Sequence, residues 1–84
     1  MEYDEMTVQT FLAKQDQLFD EPVADNEEEA AWFLEDCMAQ VFSSFAELRK
    51  YFKQNYDPGM SDQEIRESAE VFPLPDGRFL LVEG

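Results

Sequence analysis

Residues 26–55 read NEEEAAWFLEDCMAQVFSSFAELRKYFKQN, and how this stretch is divided decides the fold. Ala30, Leu34, Cys37, Val41, Phe45, Leu48 and Phe52 follow one another at spacings of 4, 3, 4, 4, 3 and 4. That is the period of a single helical face. The phase passes through Ser43 and Ser44 unbroken, and no Pro or Gly intervenes before Asp57-Pro58-Gly59. The favoured reading is therefore one long helix, about residues 26–55. The alternative is a bend at the serine pair, where side chains compete for backbone hydrogen bonds. Asp25 or Asn26 caps the start, and Glu27, Glu28 and Glu29 occupy the first turn. Carboxylates there suit the positive end of the helix dipole, each by about 0.3–1 kcal/mol.

Upstream, Val8, Phe11, Leu12, Leu18 and Phe19 share a helical face, which predicts a helix over about residues 5–19. Asp4 or Thr7 caps it. Pro22 disfavours helical geometry at the preceding residue, so the chain leaves the helix near Asp20 and enters a loop, DEPVAD. Downstream, YDPGM reads as a turn. Ser61 and Glu64 then form a capping box, with Met60 and Ile65 at the positions of a hydrophobic staple. They open a short helix, about 62–69.

The chain closes on EVFPLPDGRFLLVEG. Pro75-Asp76-Gly77 is a strong turn between two β-rich runs, so a hairpin over about residues 70–82 is expected. With that loop, Phe72 opposes Leu80 and Val71 opposes Leu81. One face then shows Phe72, Leu74, Leu80 and Val82; the other shows Val71, Pro73, Phe79 and Leu81. Pro73 cannot donate to a ladder, so its strand belongs at an edge. A lone hairpin with two apolar faces is marginal in water. The expectation is that helices cover one face and that a second copy or another partner completes the rest. The final strand, Phe79, Leu80, Leu81 and Val82, is the one expected to pair outward in a homodimer.

Composition bounds what such a chain does. Its 84 residues suffice for a single small domain spanning 1–84. With 44 % apolar residues and eight phenylalanines, it is too hydrophobic for a disordered acidic tail. The net charge is −14, and it is uneven: residues 1–36 carry twelve acids against one base, Lys14. Phosphate binding needs clustered Lys and Arg, so no direct nucleic-acid contact is expected. Anionic membranes are disfavoured by the same charge, and no apolar run reaches the length of a membrane span. The N-terminal MEYDEM lacks the apolar core of a signal peptide. A single cysteine, Cys37, fits a reducing cytoplasm.

Catalytic chemistry finds little to use. The chain has no histidine, the usual general base and commonest metal ligand. Cys37 lies on the core-facing stripe and reads as packing. The acidic 20–29 segment lacks the alternating ligands and central glycine of a calcium loop. No cofactor, metal or catalytic set is expected, and the chain is read as a non-enzyme.

Two surface patterns remain. Arg49, Lys50 and Lys53 form a small basic patch near a helix C-terminus, where cations suit the dipole. From Ser44 to Val82 the order helix, turn, helix, hairpin is that of a winged helix. Its would-be recognition helix, DQEIRESAE, has four acids and one arginine, so such a shape would serve protein contact rather than a nucleic-acid groove.

The strongest candidate site surrounds Trp32, the one tryptophan. At about 100° per residue, Trp32 points almost opposite to the stripe centred on Leu34, Val41 and Leu48. Its helical neighbours are Glu28, Glu29, Glu35 and Asp36. An indole framed by carboxylates suits a basic side chain, which pairs with the acids and lies over the ring. The competing reading places Trp32 in the core, because residues 30–34 are apolar on several sides.

These readings predict an α+β domain of two longer helices, one short helix and a C-terminal hairpin, completed into a sheet by dimerisation. Its expected function is to bind a basic surface of a partner protein as a regulator or inhibitor, in the manner of antitoxins, immunity proteins or nucleic-acid mimics. The alternative is an accessory subunit held through its apolar hairpin, with acidity serving solubility.

Overall fold

A computed structural model describes residues 3–83. It contains α1 (Glu5–Lys14), a 3-10 turn (Gln15–Gln17), α2 (Glu27–Asp36), β1 (Gln40–Phe42), α3 (Phe45–Asn55), α4 (Asp62–Arg66), β2 (Val71–Pro73) and β3 (Phe79–Leu81). The three strands form one antiparallel sheet in the order β1-β3-β2. The mixed α+β class expected from the sequence is thus observed, with more elements than expected.

The main correction falls on residues 26–55. They form two helices with a strand between them, rather than one helix. The break comes at Met38, in the left-handed region with φ 55°. The Met38 N–H donates to the Glu35 carbonyl and the Ala39 N–H to the Leu34 carbonyl. This is the paired C-terminal closure of a Schellman motif. The chain then extends as Gln40–Phe42, with Val41 opposite Leu80 and Phe42 opposite Phe79. Helical order resumes at Ser44, whose hydroxyl accepts from the Glu47 N–H. The serine pair therefore does mark a boundary, but of strand to helix.

The hairpin register agrees with expectation: Val71 opposes Leu81, Phe72 opposes Leu80 and Pro73 opposes Phe79. Gly77 takes φ 95°, as the turn requires. Pro73 lies on an edge strand, where its missing N–H costs no ladder bond. The other edge of the hairpin differs from expectation. β3 is the central strand, paired on both sides, and Leu80, Leu81 and Val82 are buried. Phe79 is half-buried against the Phe45 ring, with centroids 5.6 Å apart. The last strand therefore has no free edge to offer a second copy. β1, from the same chain, fills the place assigned to that copy.

Both apolar faces of the sheet are covered from within. On one side Phe72, Leu74, Leu80 and Val82 join Val8 and Phe11 of α1 and Ala30, Ala31 and Leu34 of α2. On the other, Val71 and Leu81 join Leu48 and Phe52 of α3 and Ile65 of α4. Alternation along the strands sends successive side chains to opposite cores. The winged-helix order is present in α3, α4, β2 and β3, but helices pack on both faces of the sheet. Val71, Phe72, Leu74, Leu80, Leu81 and Val82 of the hairpin are buried in these two cores.

The helix termini follow their local sequences. Asp4 caps α1 and Asn26 caps α2. Ser61 and Glu64 form the complete capping box of α4. α1 ends at Lys14, short of the expected Asp20, because Gln15 turns inward. Its amide oxygen accepts from the Val23 and Ala24 N–H groups, and its amide nitrogen donates to the Leu12 and Ala24 carbonyls. One buried side chain thereby pins the loop that leads into α2.

Candidate functional site

The site is assembled by the two ends of α2. At its start, the Asn26 Oδ1 accepts from the Glu29 N–H at 2.9 Å, and the Glu29 carboxylate accepts from the Asp25 N–H at 2.8 Å. At its end, the Met38 closure stops the helix after Asp36. Between them, Ala30, Ala31 and Leu34 are buried against α1 and the sheet. Orientation is then set by helix geometry: with those residues inward, Trp32 faces outward and is 56 % exposed. It is not part of the core. Its neighbour Phe33 does turn inward and stacks on Phe11, with ring centroids 5.5 Å apart.

Trp32, Glu27, Glu28, Ala31 and Glu35 line an open depression of about 470 Å³. Of the four carboxylates expected around the indole, the structure brings Glu28 and Glu35 into this lining. Glu29 is turned to the Asp25 backbone, and Asp36 is exposed outside the lining. Glu27 was not anticipated there. It was legible from spacing, since Glu27, Ala31 and Glu35 form an i, i+4, i+8 row beside Glu28 and Trp32.

The electrostatics of this face are one-sided. Among the described residues, the ion pairs are Arg49 with Asp62 at 3.2 Å, and Arg78 with Asp4 and with Asp76 at 2.6 Å each. None involves Glu27, Glu28 or Glu35. Of the basic patch on α3, Arg49 is the residue held by an ion pair, to Asp62 at the start of α4. Arg49 lies 5.8 Å and Arg66 4.1 Å from the centroid of the Phe45 ring. Lys50 lines a second, shallower depression of about 320 Å³ with Phe42, Glu47, Tyr51 and Gln54.

Neither depression contains a nucleophile beside a base. Cys37 is half-buried, and its Sγ–H donates to the Leu34 carbonyl at 3.6 Å. Burial pushes its thiol pKa up, away from the reactive thiolate. Among the described residues, no three His, Cys, Asp or Glu side chains are grouped to hold a metal ion. No helix is long and apolar enough to cross a membrane, again among the described residues. What this surface offers is an exposed indole, a small apolar floor and fixed negative charge. Those features suit the binding of a cation carried on a larger molecule.

Comparison of the chain with protein-family models, with curated proteins and with solved structures finds no match.

Proposed function

We propose that this protein is a non-enzymatic interaction protein that holds a basic surface of a partner protein against the outer face of α2, and so regulates or inhibits that partner. One observation carries the reading. Trp32 is 56 % exposed beside Glu27, Glu28 and Glu35, and no lysine or arginine among the described residues pairs with those acids. A large aromatic left in water is a preferred interface anchor. The negative field around it accelerates encounter with basic partners and repels acidic ones. The chain's net charge of −14 acts in the same direction.

The test is capture from native lysate on the immobilised wild-type protein and on Trp32→Ala, each at low and at moderate salt. The reading expects a basic protein held more strongly by the wild type than by Trp32→Ala and released from both by salt, because exposed charge pairs are screened over about 10 Å at 0.1 M. Capture that is indifferent both to Trp32 and to salt removes this surface as the binding site.

A further inference from the structure

We infer that the side chain received at Trp32 is an arginine rather than a lysine, a step that rests on the partner-binding role proposed for this face. The geometry of the depression carries the choice. Glu28 stands four residues before Trp32 and Glu35 three residues after it on α2. At 1.5 Å of rise per residue, their positions lie about 6 Å and about 4.5 Å to either side of the ring along the helix axis. Glu27 adds a third carboxylate on the Glu28 side. Ala31, beside the indole, has only a methyl group and leaves room for a flat group to lie against the ring.

A guanidinium matches each part of this arrangement. It is planar, so it stacks on an aromatic face. Its N–H donors project as a fork in that same plane, able to reach carboxylates carried at the helix positions before and after Trp32. It is also weakly hydrated, which lowers the cost of leaving water. An ammonium is a compact, strongly hydrated charge that points its donors outward from a flexible stem. It pairs with one carboxylate as a point charge, and it cannot lie flat on the ring while addressing both ends. The exposed indole is what separates the two cations. Carboxylates alone attract both. Charge complementarity sets the class of occupant, and the ring selects within it.

The probes are three synthetic peptides of equal length, identical except that their basic positions are all arginine, all lysine or all citrulline. Binding is followed at low salt through the fluorescence of Trp32 and, for its variants, by calorimetry. The expected result is about fivefold tighter binding of the arginine peptide than the lysine peptide, with no detectable citrulline binding. In Trp32→Ala that preference falls to within about twofold while charge-driven binding of both basic peptides persists. Trp32→Phe retains part of it, and circular dichroism checks that both variants keep the fold. Equal binding of arginine and lysine by the wild type overturns this inference and leaves the wider reading of a basic partner standing. Failure of both basic peptides to bind at low salt overturns the two together.

Discussion

Val41 lies directly opposite Leu80 across the β1–β3 ladder. Through that pairing a segment between two helices becomes the third strand, and Leu80 becomes the centre of the sheet. Leu80 is fully buried and packs in the core shared with α1 and α2. Leu80→Ala should destabilise the protein by about 2–5 kcal/mol, the usual cost of truncating a buried leucine. In a domain of this size that is a large part of the total. Urea unfolding followed by circular dichroism measures it. A loss below about 1 kcal/mol would be incompatible with a central, close-packed β3.

Gln15 connects α1 to the loop before α2 through four backbone groups, two donors and two acceptors. Gln15→Ala leaves the buried Ala24 N–H without its partner. The expected loss is about 1–3 kcal/mol, the penalty for an unsatisfied buried polar group. Hydrogen exchange should quicken first at Val23 and Ala24. Protection there that survives the substitution would show that the loop is held by other means.

Met38 sits at φ 55° with its side chain 79 % exposed, so little packing is lost when it is removed. A left-handed conformation costs a residue with a Cβ about 1–2 kcal/mol, of which glycine's greater unfolded-state freedom cancels part. Met38→Gly should therefore stabilise the fold by about 0.5–1 kcal/mol, and Met38→Val should weaken it. Both appear as shifts of the thermal midpoint. A glycine variant no more stable than wild type would remove the strain assigned to this closure.

Asp4 has its carboxyl held down to about 2 from an ordinary 3.8. The main cause is the Thr7 hydroxyl, which donates to it at 2.6 Å; the Thr7 N–H and the Arg78 guanidinium add to the effect. Since the folded value lies below the unfolded one, the ionised carboxylate contributes stability that is fully present above about pH 4. That contribution is lost as the pH falls toward 2. Asp4→Asn keeps a helix cap but cannot ionise. Urea midpoints measured from pH 5 to pH 2 should show a wild-type advantage over Asp4→Asn that shrinks across this window. An advantage that stays constant with pH would exclude the carboxylate's charge as its source.

Trp32 is the single tryptophan, so its fluorescence reports one place. Relative to free N-acetyltryptophanamide, caesium should quench it more efficiently and iodide less, because Glu27, Glu28 and Glu35 gather cations and repel anions at the ring. The difference should fade as inert salt is added. Neutral acrylamide should quench readily, given the exposure of the ring. Trp32→Ala should change stability by no more than about 0.5 kcal/mol, as expected of an exposed position. A caesium-to-iodide ratio no higher than that of the free tryptophan derivative would remove the one-sided field on which the proposed function depends.

Much of the candidate site could be read from helical spacing alone. Trp32 points away from Leu34 by rotation along one helix, and this holds whether that helix ends at Asp36 or continues to Asn55. What spacing did not reveal was how Glu29 is used. It serves the Asp25 backbone. That outcome turns on how the chain enters α2, and Gln15 holds the loop just before it.

Local chemistry in the sequence determined the features that a few neighbouring residues can settle. The Pro75-Asp76-Gly77 turn set the register of Phe72 against Leu80. Ser61 and Glu64 set the start of α4, and the missing N–H of Pro73 placed β2 at an edge. Only the tertiary structure decided that Gln40–Phe42 is a strand. Ala30, Leu34, Cys37, Val41 and Phe45 keep helical phase, and a short apolar run satisfies helix and strand patterns equally well. The choice rests on hydrogen-bonding groups offered by β3, some forty residues away along the chain. Accepting them satisfies the open edge of the hairpin and lets α3 and α4 cover its second apolar face. No local spacing contains that information, because the partner that rewards the extended conformation exists only once the chain has folded.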